Sequence, residues 1–241
     1  MDERSIREII REELKKLKGM TWGQRLGYIW DYYKWHIIAS IVAILMISIT
    51  AVQCATQTHY DMTVTYAGSA GCTDEAQGKI SEFFQDTVGD VNGNGKNEVL
   101  FQALKISSAE NQVQDAQYEM AMQTKLMLEL QAGESFLFLL SPERAEILFS
   151  GDGADGFLVP VSEWYPGQLA EERQVSGSLN GYAVRLENPT VFTEAGFDCG
   201  EVYLAVRQLR SDETKEKNIE NAEKQQQASK KAAVAFVDRQ K

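Results

Sequence analysis

Histidine is nearly missing: His36 and His59 are the only two in 241 residues, and none follows residue 59. A Ser-His or Cys-His nucleophile and a His-ligated zinc therefore find no imidazole in the last three quarters of the chain. No nucleophile and base can be named together, so the expected protein is not an enzyme. Cysteine is scarce too, at positions 54, 72 and 199. Three thiols allow one bridge with one left over, so Cys72 and Cys199 are read either as two free thiols, the default, or as one disulfide. Positive charge is absent from Trp35 to Gly78, between Lys34 and Lys79. Residues 1–35 hold eight Lys/Arg against six Asp/Glu, which leaves 16 and 29 for residues 36–241. An acidic remainder repels phosphate backbones, so nucleic acid is excluded as a partner. No internal repeat is visible.

What is present begins with "DYYKWHIIASIVAILMISITAVQCAT", residues 31–56. Ile37 to Ala55 is 19 residues without a formal charge, and counting from Trp35 the stretch reaches 21. A bilayer-spanning helix needs about 20 residues at about 1.5 Å each, and only Ser40, Ser48 and Thr50 interrupt the apolar surface. The expected partner of this segment is the membrane bilayer. Trp22, Tyr28, Trp30, Tyr32, Tyr33 and Trp35 crowd its approach and read as an interfacial belt. The eight basic residues before the span place the N-terminus in the cytoplasm by the positive-inside rule, and residues 56–241 outside.

A cleaved signal is the competing reading, but the head is about 35 residues long and Gln53 precedes Cys54 where a cleavage or lipoprotein site needs a small residue. An uncleaved anchor, span 36–55, is expected. Ile6, Ile9, Ile10, Leu14 and Leu17 recur at helical spacing within the 1–35 head. They predict an amphipathic helix ending near Gly19, lying on the inner leaflet or, alternatively, meeting a membrane protein partner.

After the span, strand and helix signals alternate. Strands are expected at 59–68, 97–107, 135–141, 181–188 and 201–209, and helices at 73–89, 108–133 and from Pro142, with a polar C-terminal helix at 212–238. "SFLFLLS" is apolar throughout, as in a central parallel strand. The predicted architecture is α/β, a mainly parallel sheet flanked by helices, in a domain spanning 56–241. Met120, Met122 and Met127, on a mid-domain helix, are assigned to the core rather than to an adaptable surface.

Two stretches carry candidate sites. "GDVNGNGKNEV" (89–99) puts Asp90, Asn92 and Asn94 at positions 1, 3 and 5 of a calcium loop, Gly95 at 6, the Lys96 carbonyl at 7 and Glu98 at 9. Position 12, normally a bidentate Glu, is Phe101. Calcium is thus a candidate cofactor, against the alternative that two Asn-Gly pairs simply make a turn. In a parallel sheet, ligands belong at the carboxyl ends of the strands. Those ends read "YAGSAGCT", "ISSAE" and "LLSPE", so Gly68, Ser69, Gly71, Ser107, Ser108 and Ser141 are candidate contacts for a small polar ligand or peptide. Helix capping alone also accounts for the serines.

The run "TKLMLELQAGESFLFLLSPERAEIL" resembles the middle of extracellular solute-binding proteins of the type II periplasmic kind. "GFLVPVSEWYPG", "GYAVRLENPTVFTEAGFD" and the Lys-rich last helix are similar to later segments of the same family. "YYKWHII" resembles the juxtamembrane stretch of uncharacterised single-pass proteins of Gram-positive bacteria. The resemblance implies a solute-binding-like fold, as a single or trimmed lobe, serving a transporter or sensor. The competing class is a structural or assembly subunit of a cell-envelope complex.

Overall fold

The computed structural model describes residues 15, 21–56, 58–107, 116–132, 135–151, 153–209 and 216–239. The chain forms two compact units, 1–58 and 59–241. Apart from Lys15, which is helical and exposed, the amphipathic segment 6–17 lies outside the described residues, as do Ser108 and residues 212–215.

Beyond Lys15, the described part of the first unit is one helix, α1 (Trp22–Thr56). Within it, Tyr33–Gln53 is long and apolar enough to cross a membrane, and none of that window is buried by protein. The Thr50 hydroxyl donates to the Met46 carbonyl one turn back at 2.9 Å, which satisfies it without water. The aromatic approach is not a separate element: Trp22 through Trp35 continues into the apolar stretch as the same helix.

The second unit is an α/β fold. Its elements are β1 (Met62–Gly68), α2 (Asp74–Val88), β2 (Val99–Lys105), α3 (Ala116–Ala132), β3 (Ser135–Leu140), α4 (Pro142–Leu148), α5 (Val161–Trp164), β4 (Ala183–Glu187), α6 (Thr190–Ala195), β5 (Glu201–Val206) and α7 (Glu216–Asp238). The five strands lie in the order β2-β1-β3-β5-β4. β1 pairs in parallel with β2 and β3, while β5 pairs antiparallel with both β3 and β4.

The sheet is therefore mixed: β1 to β4 run the same way, as in the mainly parallel sheet expected, and β5 alone runs against them. The reason is the length of α6. Six residues advance only about 9 Å, too little to carry the chain back along a strand of about 17 Å. The chain leaves β4 and enters β5 at the same edge, so β5 has to run back antiparallel.

Helices cover both faces. On one, α2, α6 and α7 pack over Met62, Val64 and Tyr66 around a cluster of rings, with Phe84 stacked on Phe236 at 5.6 Å. On the other, α3 and α4 cover Ala67, Leu104, Phe138 and Leu140 with mostly aliphatic contacts. The polar C-terminal helix belongs to the core because Ala228, Ser229, Ala232, Ala233, Phe236 and Val237 form one buried stripe. Small side chains there let the helix approach the sheet closely, a signal weaker than bulky apolar spacing.

α3 departs from expectation. Leu126 and Leu130 are buried and Met122 is half-buried, but Met120 and Met127 point outward, at 70% and 46% exposure, beside exposed Tyr118 and Leu128. The assignment of the three methionines to the core holds for Met122 only.

Candidate functional site

The order β2-β1-β3 has a topological consequence. The chain leaves β1 toward one side, to β2, and crosses to the other side, to β3, so the loops after β1 and β3 lead from the carboxyl edge to helices on opposite faces, the kind of switch point at which α/β sheets place ligands. This edge carries the small and hydroxylated residues singled out in the sequence. Ser141 N donates to the Ala67 carbonyl at 2.9 Å, and Ile106 N donates to the Gly68 carbonyl at 2.8 Å. Gly68, Ser107 and Ser141 are thus brought to one edge, together with exposed Ser69 and Gly71. Ser108 lies outside the described residues.

Why the chain needs glycine at 68 is local. A Cβ there would overlap the Tyr66 hydroxyl, would lie 2.8 Å from the Tyr66 Cζ and would press on the Ser141 Cβ at 3.2 Å. The Tyr66 ring is held edge-on by Phe197 with centroids 4.9 Å apart, and its hydroxyl accepts the Ala70 N–H. Burial pushes the Tyr66 hydroxyl above its ordinary value, and the Cys199 and Cys72 sulfurs nearby add to the shift.

Helix α2 starts from this edge. Thr73 is its N-cap, with Oγ1 accepting the Ala76 N–H at 3.3 Å. Ser141 stands at the N-cap of α4 but makes no side-chain cap bond, so its hydroxyl is free of the capping role that the sequence alternative gave it.

Ser107 is engaged differently. Its N–H donates to Glu119 Oε2 at 3.1 Å and its carbonyl accepts from Arg144. Glu119 and Arg144 lie 3.9 Å apart with side chains only about a tenth exposed, so this pair braces the end of β2 against α3 and α4. Neither Arg144, Glu119 nor Tyr66 stands out in the sequence, since each sits in an ordinary helix or strand pattern.

The calcium-loop residues sit at the opposite edge. Asp90 accepts the Gly93 N–H at Oδ1 (2.7 Å) and the Gly95 N–H at Oδ2 (2.9 Å). Asn92 Oδ1 accepts from Asn94 N, and Asn94 Oδ1 accepts from Lys96 N. Gly93 and Gly95 take the positive φ values of 74° and 80° that such a winding loop requires. Asp61, fully buried, anchors the whole segment: Oδ1 accepts Val91 N and Asn92 N, and Oδ2 accepts Glu98 N at 2.8 Å. The loop oxygens of Asp90, Asn92 and Asn94 thus serve the turn. Among the described residues no three His, Cys, Asp or Glu side chains are grouped to hold a metal ion.

Cys72 and Cys199 are free thiols, half-buried, each in a loop at the same edge as Gly68. No family model matches this chain, and no curated protein or solved structure matches it either.

Proposed function

We propose that this chain is a membrane-anchored extracytoplasmic binding module, with a solute-binding-like α/β lobe that holds a small polar solute or short peptide. In this reading α1 spans the bilayer with the N-terminus in the cytoplasm, as the basic head favours, and the lobe serves a transporter or sensor without catalysing a reaction. The observation that carries the reading is the strand order. The β1/β3 switch point gathers Gly68, Ser69, Gly71 and Ser141, and the Ser141 hydroxyl there is not spent on its helix. Exposed Ser69 and Gly71 leave backbone and hydroxyl groups open to a polar ligand.

A second reading rests on a different observation. The outward face of α3, with Tyr118, Met120, Met127 and Leu128 exposed, suits a structural or assembly subunit of an envelope complex.

One experiment separates the two. The full chain in detergent micelles is melted against sugars, amino acids, short peptides and small anions, alongside Gly71→Trp. A Cβ at Gly71 meets only the Lys105 Cδ at 3.9 Å, so a side chain added there starts in open space at the strand ends. A ligand at 100 times its dissociation constant adds about 2.7 kcal/mol, several degrees in midpoint. A saturable shift in the wild type that Gly71→Trp abolishes supports the binding module. If no compound moves the midpoint, the assembly reading gains and the solute reading falls.

A further inference from the structure

Cys72 and Cys199 are 127 positions apart in the sequence, yet the topology delivers them to one place. Cys72 closes the loop after β1, directly before the Thr73 cap of α2, and Cys199 closes the loop before β5. Because β5 runs antiparallel to β3, with Leu140 opposite Tyr203, the start of β5 lies at the carboxyl edge of β1 and β3. Both cysteines pack against the same aromatic cluster.

In the sheet, β1 and β5 are separated by β3, hence by about 10 Å, whereas a disulfide needs α-carbons within about 7 Å. The loops must therefore lean toward each other over the end of β3. On this face the α6–β5 loop already reaches over to β1: its Phe197, two residues before Cys199, meets the β1 residue Tyr66, six residues before Cys72, ring to ring at 4.9 Å. The charge of either thiolate also bears on the Tyr66 hydroxyl, and that of Cys72 bears on Cys199, so the three groups form one cluster. Gly71 and Gly200 flank the two cysteines, and Gly200 already takes a φ of 66°, which gives both loops backbone freedom to adjust.

We propose that Cys72 and Cys199 form a reversible disulfide across the carboxyl edge of the sheet, by exchange with a low-molecular-weight disulfide. The Cys72 sulfur, in an exposed loop and lower in pKa of the two at about 11, attacks the oxidant first and expels one thiolate. The Cys199 thiol gives up its proton, its sulfur attacks the mixed disulfide at the Cys72 sulfur, and the second small thiol leaves. Two S–H bonds are lost and one S–S bond forms, while the oxidant is reduced to two thiols. The bridge ties the loop carrying Ser69 and Gly71 to the α6–β5 loop and does not depend on that edge binding a solute.

The test uses the full chain bearing Cys54→Ser, so that only these two thiols remain. It is equilibrated in micelles across ratios of oxidised to reduced glutathione, quenched in acid, unfolded, labelled with a maleimide and weighed intact. The expected product under oxidising ratios is a single monomeric species, two hydrogens lighter, with no label and no bound glutathione. It converts to the doubly labelled species in one two-electron step. With Cys199→Ser added, the chain is expected to hold one glutathione on Cys72. Two labelled thiols at every ratio, or glutathione retained on the two-cysteine chain without an internal link, would overturn the proposal.

Discussion

The two ends of β1 are built in opposite ways. At the amino end, Asp61 is buried and both its carboxylate oxygens are consumed by N–H groups of residues 91, 92 and 98. Asp90, Asn92 and Asn94 add four further bonds within the loop. At the carboxyl end, Gly68 makes room for the Tyr66 hydroxyl, and Ser69 and Gly71 just beyond it are exposed. The more motif-like sequence belongs to the end that is structurally committed, and the blander one to the end that is open. A motif of polar side chains beside glycines is as well suited to holding its own backbone as to holding a ligand, and only the partners of each oxygen tell which.

The strongest way to break the comparison is to remove the anchor. Asp61→Ala strips three charge-assisted bonds from partly buried backbone donors, and the expected loss is about 3 kcal/mol, read as a lower urea midpoint at unchanged slope. A loss below about 1 kcal/mol would mean that the amino end is not locked through this carboxylate.

Gly68→Ala comes next, at about 1–3 kcal/mol, because the new methyl collides with a tyrosine ring that Phe197 holds in place. Pairing it with Tyr66→Phe removes the hydroxyl from the clash, so the two substitutions should be less than additive in a double-mutant cycle. Strict additivity would remove the close-packing explanation for glycine there.

A smaller effect follows from pH. Burial raises the Cys72 thiol to about 11 and the Cys199 thiol to about 12, from an ordinary value of 9.0. The unfolded chain therefore loses these protons first, and the stabilisation is intact below pH 9 and lost as pH climbs through the folded values. The reduced wild type should lose stability more steeply above pH 9 than Cys72→Ser/Cys199→Ser. Identical slopes would show that neither thiol is shielded.

Smallest is the response to calcium. The 90–98 loop already has its turn bonds, so millimolar calcium should leave the thermal midpoint within about a degree. A saturable rise that Asp90→Asn abolishes would make the amino end an ion site after all.

Much of this architecture is legible in the chain. The alternation of "HYDMTVTYAG" places β1 with its end correct and its start three residues early, and the apolar run "SFLFLLS" and Pro142 after Ser141 place β3 and α4 within a residue, because each signal is local. The direction of β5 is not local: it depends on how far α6 can carry the chain. The anchoring role of Asp61 involves partners 30 to 37 residues away, and at the head of a strand pattern it reads as an ordinary polar residue. The serine-rich strand ends were visible as a set. Which of them the fold engages was not, since Ser107 is held by Glu119 and Arg144 from α3 and α4 while the Ser141 hydroxyl is left uncapped. The outward methionines of α3 escape the reading for a similar reason, because two apolar stripes on one helix look like one thick core face.

The contrast between the two ends of β1 is tested most directly by amide hydrogen exchange on the full chain in micelles, resolved to single residues. The N–H groups of Val91, Asn92 and Glu98, held by a buried carboxylate, should exchange orders of magnitude more slowly than those of Ser69, Gly71 and Cys72. Equal protection at both ends, or slower exchange at residues 69–72, would contradict a locked amino end and an open carboxyl end.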